Sequence, residues 1–571
     1  MTAGSTRWRP PEGWRPAWAI VDRRRIAALS KRSQQVLLLA GTTGAVVGLL
    51  VAGFDKVTVT LLGWILGLPT PVRVVAPGVG LLVAAGCLRL GGRNTTPSTS
   101  DEYIRAFHAR SGHVDLRAVP ARILAAVATL GSGGPLGYEG PALYAGAAVG
   151  STLQRRLKRY FSTDESNLLM VAGAAAGVSA IFKAPVTGLI FALEVPYQED
   201  LARRMLLPAA ISAAASYVVF AAIAGTEPIL PIAGQPPFNL IDLGGAAAVG
   251  LAAGLLARLF VGLIREAKRL SVQGTVWGRA AAGGAVIGAT VLLGTLLGGS
   301  DLVLGPGYRA LRWALEPDRG ILGIVALGTL RVAGTAAVVG AGGTGGLFVP
   351  LVIQGALVGR VIGGIFDSGN ATLFPVVGIA AFLGAGYRVP LAAVVFVAEF
   401  TGRPGFVVPG LIAAVVAQLV MGRASVSEYQ LAGRVGHLEG RLQLPVSAVV
   451  STELGTVPPD ASVQEFFWQH LVGTRQYAVP VVDGDTYLGL AGADELDRMD
   501  HERWEEIAVK DVMRTDVPVA TPAWTLGAAI AAMEEAGTDR LAVCHEGRFV
   551  GVIKLSDLGQ LDEILDRTPP Q

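Results

Sequence analysis

The chain has 571 residues, of which 51% are hydrophobic and only 16% are charged. Soluble domains carry about 25% charged residues, so this composition excludes an ordinary soluble protein and indicates a polytopic membrane protein. The net charge of +3 favours neither nucleic acid nor an acidic ligand. Two cysteines (Cys87 and Cys544) and six scattered histidines indicate neither a disulfide framework nor a metal site.

Residues 1–33 form a basic, tryptophan-rich segment, and the first apolar run begins only near Gln35. This order does not fit a cleavable signal peptide. Positive residues next to a first span favour a cytoplasmic N-terminus, and a solvated basic tail without topological weight is the alternative.

Apolar segments follow between residues 34 and 435 in two sets. The first set covers 35–66, 74–92, 119–135, 141–154, 168–195 and 204–225, and the second covers 243–265, 279–299, 320–340, 347–366, 373–400 and 405–421. Several are too short or too broken by glycine and proline for a simple span, so they predict tilted or re-entrant helices buried in protein. The polar stretches 94–118, 226–240 and 300–318 are predicted connections.

A glycine-rich stretch occurs twice in the chain. Residues 131–150 read GSGGPLGYEGPALYAGAAVG, and residues 340–359 read GAGGTGGLFVPLVIQGALVG. Both have glycine at positions one, three, four and seven, and proline at position eleven. A second matching pair, PVTGLIFALE at 185–194 and PLAAVVFVAE at 390–399, follows in the same order. The spacing predicts an internal repeat of about 34–225 and 241–422.

Each glycine-rich copy runs into an apolar segment with proline in its first turn, which predicts the start of a helix. A helix N-terminus offers unpaired N–H groups, and nearby glycines let an anion approach the backbone. In membrane proteins, broken helices at matching positions of two repeats indicate a midplane binding site. The sequence therefore predicts an anion site built from backbone, with the carboxylate of Glu139 beside it.

Past about Ser425 the composition becomes that of a soluble domain, and this tail is also duplicated. Residues 446–496 parallel residues 509–558, and each copy predicts a short strand, a helix, two strands around a tight turn, and a helix. The tail resembles a pair of CBS domains, at 446–499 and 509–564. Such pairs often bind adenine nucleotides in the cleft between the two modules.

Residues 35–435 resemble the CLC family of chloride channels and chloride/proton antiporters. The sequence GYEGP at 137–141 resembles that family's G-R/K-E-G-P motif, with tyrosine in place of the basic residue. GLFVP at 346–350 fits its G-x-F-x-P motif, and FKAPVTGLIFALE at 182–194 resembles the stretch that closes its first repeat. The resemblance implies an all-α membrane domain of two inverted repeats with re-entrant helices, followed by an α/β CBS pair.

By this resemblance Glu139 is the gating glutamate, which occupies the anion site when charged and leaves it when protonated. A charge in the bilayer costs at least ~2.5–3.5 kcal/mol unless it is paired or wet, which fits a carboxylate held by helix N–H groups. A capping residue in the first helical turn is the alternative. The resemblance also implies that Phe348, with Leu347, offers backbone N–H groups to the anion while its ring narrows the path; an ordinary core aromatic is the alternative for Phe348. The resemblance assigns to the anion site Gly137, Tyr138, Gly140, Gly346, Leu347, Phe348 and Val349.

The family's G-S-G-I-P motif is altered here to TTPSTS at 95–100. Ser98 is the best candidate for the hydroxyl that donates to the anion, and Thr99 and Ser100 are alternatives. The other interpretation is a polar loop that caps a helix beginning at Asp101.

The family's S-I-Y-x-x-Q pattern is also altered, to SVSEYQ at 425–430. This register puts Ser427 where the family has its central anion-binding tyrosine. Tyr429 lies two residues later and could replace that tyrosine only with a local shift. Loss of the tyrosine would loosen the inner gate.

Proton-coupled members often carry an internal glutamate at the position of Val195. Because valine cannot carry a proton, this position favours weak or absent coupling. The preceding Glu194 is predicted to be a buried, hydrogen-bonded helix residue rather than a proton relay. In the tail, Asp557 resembles the ribose-binding aspartate of a CBS module, and Tyr477 is a candidate for adenine stacking. A structural scaffold without ligand is the alternative for that tail.

The sequence thus predicts selective transport of chloride and similar small anions, channel-like or weakly proton-coupled. The resemblance implies a homodimer in the plasma (inner) membrane with both termini cytoplasmic. Proton/chloride antiport is the alternative, and an intramembrane enzyme (for example a serine hydrolase at Ser132) or a transporter of another solute are remote ones. No metal, nucleic acid or resident cofactor is expected, apart from ATP, ADP or AMP at the CBS pair.

Overall fold

The computed structural model describes residues 23–92, 95–109, 112–157, 167–230, 232, 239–316, 319–366, 372–432, 442, 444–452, 455–496 and 499–556. The chain forms two compact units, Met1–Gly433 and Arg434–Gln571.

The described part of the first unit contains sixteen α-helices. They are α1 (Arg23–Leu66), α2 (Thr70–Leu90), α3 (Ser100–His108), α4 (Ala118–Gly131), α5 (Glu139–Arg156), α6 (Leu168–Phe182), α7 (Pro185–Glu194), α8 (Leu206–Ala224), α9 (Leu240–Leu270), α10 (Val276–Thr295), α11 (Tyr308–Ala314), α12 (Ile321–Gly340), α13 (Phe348–Phe366), α14 (Leu373–Tyr387), α15 (Pro390–Thr401) and α16 (Val407–Met421). Short 3-10 helices precede α8 (Arg203–Met205), α11 (Ser300–Leu302) and α16 (Pro404–Phe406).

Seven helical segments among the described residues are long and apolar enough to cross a membrane. They are Gln34–Leu66, Thr70–Leu90, Arg203–Ala224, Leu240–Leu270, Val276–Thr295, Ile321–Gly340 and Pro404–Met421. Large apolar side chains such as Leu49, Val218 and Leu256 are exposed on them, which suits lipid as the surrounding solvent. In contrast, every residue of the shorter helices α6 and α14 is buried. These two helices therefore form the centre of the unit.

The packing repeats with the sequence. Helix α6 packs against α5, α7 and α8, and α14 packs in the same way against α13, α15 and α16. Helix α1 packs on α8 as α9 packs on α16. Each helix in the first half thus has its counterpart eight helices later.

Two left-handed residues break the apolar segments 168–195 and 373–400 into helix pairs. Lys183 ends α6 with φ 52°, and Arg388 ends α14 with φ 59°. In each case a proline follows two residues later at the first position of the next helix, where its missing N–H costs nothing. The breaks turn α7 and α15 back along the same core.

Two polar stretches that we predicted to be only connections, 94–118 and 300–318, contain α3 and α11, so this part of the prediction was wrong. Helix α3 carries Asp101 and Glu102 in its first turn yet buries Tyr103, Ile104 and Phe107. Because charged residues are interspersed with these apolar ones, the average composition of the segment is polar and the apolar face is not recognised. A nine-residue helix of this kind is held by packing rather than by propensity.

Glycines at the last position of the duplicated stretch bring helices into backbone contact. An ideal Cβ on Gly150 would lie 1.8 Å from the carbonyl oxygen of Leu169, and one on Gly359 would lie 2.0 Å from that of Phe374. No side chain fits at either position. The duplicated glycines therefore fix the α5–α6 and α13–α14 packing.

The described part of the second unit contains two antiparallel hairpins. Strand β1 (Ala478–Asp483) pairs with β2 (Thr486–Gly492), and β3 (Arg540–His545) pairs with β4 (Arg548–Lys554). Each hairpin has a register irregularity at the corresponding place, between Val481 and Val482 and between Val543 and Cys544. The helices are α17 (Val463–Glu465, continued as a π-helix over Phe466–Val472), α18 (Ala493–Leu496) and α19 (Leu526–Ala536).

The two halves of the tail exchange their opening segments. Each half begins with a 3-10 turn, Val446–Ala448 or Val509–Asp511, where we predicted a strand. Val446 lies in the core of the second half and its N–H donates to the carbonyl of Trp524 (2.8 Å). Val509 lies in the core of the first half and donates to the carbonyl of Ala461 (2.9 Å). Neither core is complete without the other half.

Candidate anion-binding site

The starts of α5 and α13 meet through one pair of glycines. Gly137 and Gly346 both occupy position seven of the duplicated stretch. Each donates its N–H to the carbonyl oxygen of the other at 2.8 Å, forming an isolated antiparallel bridge. The bridge sets the two helix N-termini face to face, so their unpaired N–H groups point into one place.

The carboxylate of Glu139 fills this place. Glu139 is the first residue of α5 and is 1% exposed. Its Oε1 accepts a hydrogen bond from the N–H of Phe348, the first residue of α13, at 2.7 Å. Within the described part of the chain its Oε2 has no hydrogen-bond partner. The side chain of one repeat thus caps the helix of the other, where the helix dipole favours negative charge.

Both bridge glycines are required by this carboxylate. An ideal Cβ on Gly137 would lie 1.9 Å from Oε2 of Glu139, and one on Gly346 would lie 1.9 Å from Oε1. Any side chain at either position would therefore take the space of the carboxylate. The glycines provide an anion-sized gap lined by backbone.

The neighbouring predicted residues are buried around the carboxylate. Tyr138 packs its ring edge-on against Phe54, with centroids 6.3 Å apart. Leu347 and Val349 are also buried. An ideal Cβ on Gly140 would lie 3.0 Å from the Cα of Gly346. The predicted motif residues from the two repeats are brought together here.

The structure separates Ser98 from Thr99, the two candidate hydroxyls that directly precede α3. The hydroxyl of Ser98 donates to Oδ2 of Asp101 at 2.9 Å. Thr99 is 1% exposed, and its Oγ1 lies 2.5 Å from the ideal Cβ position of Gly140. This Oγ1 has no hydrogen-bond partner among the described residues. Thr99, rather than Ser98, is therefore the hydroxyl placed at the start of α5.

The ring of Phe348 lies in an aromatic cluster. Its centroid is 4.6 Å from that of Phe182, 4.8 Å from that of Phe396 and 5.3 Å from that of Phe191. The cluster fixes the first turn of α13. Its rigidity keeps the Phe348 N–H aimed at the carboxylate.

A cavity of about 250 Å³, here called the vestibule, opens beside this site. Its lining includes Ser98, Ser100, Asp101, Lys268, Gly346, Leu347, Tyr387, Ser427, Glu428 and Tyr429. The charged groups at its wall are paired. Lys268 Nζ lies 2.5 Å from Oδ2 of Asp101 and 3.6 Å from Oε1 of Glu428. The backbone N–H of Glu428 donates to Oδ1 of Asp101 at 2.9 Å.

Ser427 and Tyr429 take different positions on the vestibule wall. Ser427 is 6% exposed, and its hydroxyl has no partner in the described ranges. Tyr429 is 53% exposed and has a left-handed backbone, with φ 62°. The phenol of Tyr429 is therefore not enclosed in the site.

A phenol that sequence reasoning missed lies at the site. Tyr387, the last residue of α14, is 1% exposed, and its hydroxyl accepts a hydrogen bond from the N–H of Leu347 at 3.3 Å. No motif marks this residue in the sequence. Its position is evident only from the structure, where it ends the buried helix α14 and directly precedes the left-handed Arg388.

Val195 and Glu194 lie at the end of α7. Val195 is buried, and its carbonyl accepts a hydrogen bond from the Gln430 amide at 2.9 Å. Glu194 is buried and hydrogen-bonded, as the sequence predicted. Its carboxylate accepts the N–H groups of Leu391 (3.1 Å) and Ala392 (2.8 Å) at the start of α15. Apolar side chains and capped helix ends occupy this position.

In the tail, Tyr477 is 56% exposed, and its hydroxyl donates to the carboxylate of Asp494. It directly precedes β1. Asp557 lies outside the described residues.

The duplicated helical order and the paired helix starts define a polytopic membrane protein of two fused repeats. Residues 79–422 match the family model of the voltage-gated chloride channels, and residues 509–559 match that of the CBS domain. The chain belongs to the voltage-gated chloride channel family, known as the CLC family. The resemblance seen in the motifs is confirmed.

Curated relatives are similar over most of the first unit. The putative chloride channel protein ClcB-like of Ralstonia nicotianae is 26% identical over 66% of this chain and 92% of its own length. The H(+)/Cl(-) exchange transporter ClcA of Citrobacter koseri is 25% identical over 70% of this chain and 87% of its own length. The corresponding ClcA of Vibrio parahaemolyticus is 28% identical over 55% of this chain and 69% of its own length.

Solved structures share the fold. A CLC-type fluoride/proton antiporter matches with a TM-score of 0.62 and 20% identity, covering 70% of this chain and 98% of that one. A eukaryotic CLC transporter matches with a TM-score of 0.58 and 19% identity, covering 92% and 98%. The predicted fold class, a two-repeat helical membrane domain followed by an α/β tail, is confirmed.

Proposed function

We propose that the first unit transports chloride and similar small anions across the membrane, through the meeting point of α5 and α13. One observation carries this proposal: a carboxylate oxygen of Glu139 accepts the first N–H of α13 at 2.7 Å. An oxygen anion bound at a helix start marks the place where a free anion is stabilised by the same N–H groups and dipole.

In this mechanism Glu139 competes with the anion. When the carboxylate is charged it holds the Phe348 N–H and blocks the path. When it takes up a proton, the charge that the helix start stabilises is lost, and an anion replaces it. The remaining surface of the site is the side-chain-free backbone of Gly137 and Gly346, against which the carboxylate lies, and the hydroxyl of Thr99, which has no hydrogen-bond partner among the described residues.

Coupling to protons is the finer part of the proposal. Val195 cannot hold a proton, and Glu194 beside it is engaged with two N–H groups of α15. Both observations favour channel-like or weakly proton-coupled transport. Proton/chloride exchange is the second candidate, because two of the relatives are named H(+)/Cl(-) exchange transporters.

One experiment separates the two candidates. Purified protein is reconstituted into liposomes loaded with chloride, and chloride and proton movements are recorded at the same time with two electrodes. Channel-like transport moves chloride with little uphill proton movement, whereas exchange moves protons uphill in a fixed ratio. Absence of any chloride flux in either direction would contradict the proposal as a whole.

The assembly and the location follow from the family resemblance. We place the protein in the plasma (inner) membrane as a homodimer, each subunit with its own anion path and both termini in the cytoplasm. The vestibule then faces the cytoplasm. Cross-linking in intact membranes at increasing dilution would give dimers at all dilutions.

The tail is proposed to bind an adenine nucleotide (ATP, ADP or AMP). Support comes from the CBS match at 509–559 and from the exposed ring of Tyr477. A ligand that binds the folded state raises the unfolding temperature. We expect ATP to raise the unfolding temperature of the full-length protein, and Asp557→Ala to remove that shift. No shift at millimolar ATP, ADP and AMP would leave the tail a scaffold.

A further inference from the structure

Tyr387 stands at the vestibule side of the anion site. It ends α14, and its ring packs edge-on against Phe191 (centroids 5.5 Å apart) and near Phe348 (6.4 Å). The following residue, Arg388, is left-handed and ends the helix. The ring is therefore fixed by packing on two sides, and only its hydroxyl end meets polar groups.

The Tyr387 phenol and the Glu139 carboxylate bind neighbouring backbone N–H groups, those of Leu347 and Phe348. The phenol oxygen accepts from the N–H of Leu347 at 3.3 Å. Glu139 Oε1 accepts from the next N–H, that of Phe348. Two consecutive N–H groups at the start of α13 are thus covered by two protein oxygens, one a carboxylate and the other a neutral phenol.

The segment that carries the altered tyrosine motif is attached directly to Tyr387. The N–H of Val426 donates to the carbonyl of Gly386 (2.9 Å), and the Gln430 amide donates to the carbonyl of Tyr387 (3.0 Å). These bonds hold Ser427 beside the end of α14. Ser427 and Tyr387 both line the vestibule.

We propose that the Tyr387 hydroxyl is an anion ligand that closes the site toward the vestibule, in the place that the family motif would give to a tyrosine at 427. This inference rests on the proposed function. A phenol can accept and donate. With Glu139 bound to the Phe348 N–H it accepts from Leu347, and when an anion takes the Leu347 N–H it turns its hydrogen to the anion. The second closing group of the path therefore comes from α14, and Tyr429 is not part of it.

The test compares chloride binding to full-length wild type and Tyr387→Phe by calorimetry in detergent. Loss of one hydroxyl donor to an anion is expected to weaken chloride binding about tenfold. Tyr103→Phe is the matched control, because its phenol is equally buried but donates to the carbonyl of Ala192 (2.8 Å). Tyr103→Phe should keep wild-type chloride affinity even if its unfolding temperature falls.

The outcomes are distinguishable. Wild-type affinity in Tyr387→Phe, or a loss found in Tyr429→Phe instead, would overturn the inference while chloride flux by the wild type leaves the proposed function standing. If Tyr387→Phe does not fold, bromide in crystals of the wild type decides. Its anomalous peak should lie within about 3.5 Å of the Tyr387 oxygen. A bromide peak at the start of α13 that lacks this contact would equally overturn it.

Discussion

Glu194 and Glu399 cap each other's helices. Glu194 ends α7 and accepts two N–H groups at the start of α15, and Glu399, near the end of α15, accepts the N–H groups of Val186 (3.0 Å) and Thr187 (2.7 Å) at the start of α7. Each carboxylate lies at a helix N-terminus of the other repeat, where negative charge is stabilised. The pair ties the two repeats together without any cation.

This reciprocal arrangement predicts that Glu194 is structural. Glu194→Ala leaves two N–H groups without their acceptor, so the free energy of unfolding should fall by about 1–3 kcal/mol. Glu399→Ala is the matched variant, and its free energy of unfolding should fall by a similar amount. Thermal unfolding in detergent measures both variants. If Glu194→Gln instead removes proton movement at an unchanged unfolding temperature, Glu194 is a relay.

The Glu139 gate predicts a specific pH dependence. Wild-type chloride flux should rise as the pH falls, because protonation removes the charge that competes for the Phe348 N–H. Glu139→Gln should be open at all pH values and lose most of this dependence in liposome flux. Glu428→Gln, which changes an exposed carboxylate at the vestibule, is the control. A Glu139→Gln variant with the wild-type pH profile would leave Glu139 a simple cap.

The placement of Thr99 separates two neighbouring hydroxyls. Thr99→Val keeps the side-chain shape but removes the buried hydroxyl, and should weaken chloride binding by about three- to tenfold. Ser98→Ala should have a smaller effect, because its hydroxyl serves Asp101. Calorimetry on both variants gives the comparison. A larger loss in Ser98→Ala would restore Ser98 as the anion ligand.

The Asp101–Lys268 pair predicts an electrostatic effect at the vestibule. Lys268→Met leaves the carboxylate of Asp101 uncompensated beside the anion path, and chloride flux should fall roughly tenfold at low salt, an effect of about 1.4 kcal/mol. The double variant Asp101→Asn/Lys268→Met removes both charges and should recover most of the flux. Equal flux in the single and double variants would mean that charge at the vestibule is not what limits transport.

Val195 predicts how coupling can be introduced. A proton crossing from the vestibule to Glu139 needs a titratable group or continuous water, and Val195 provides neither. Val195→Glu should therefore gain proton movement driven by a chloride gradient, whereas Val195→Gln, of the same size, should not. Sustained uphill proton pumping by the wild type would show that another route exists.

The helix starts within the duplicated stretches could be predicted from the sequence, because they depend on local residues. Glycine and proline at fixed positions determine where a helix can begin, so the positions of Glu139 and Phe348 at helix starts could be inferred. The contact between them spans 209 residues and follows from the Gly137–Gly346 bridge, which no local pattern in the sequence predicts. Tyr387 could not be found in this way, because its role depends on the left-handed turn that follows it. The choice of Thr99 over Ser98 depends likewise on which hydroxyl Asp101 binds.

The bond between Glu139 and Phe348 joins equivalent positions of the two repeats. Counted from the first glycine of each duplicated stretch, both are at position nine. If both repeats had glutamate at this position, two carboxylates would repel each other across the Gly137–Gly346 bridge. If both had phenylalanine, neither helix start would be blocked by a carboxylate. The difference at this position gives the repeated scaffold one obstructing side chain, Glu139, and one helix start that binds it, at Phe348. The path can close because its two halves differ at this position.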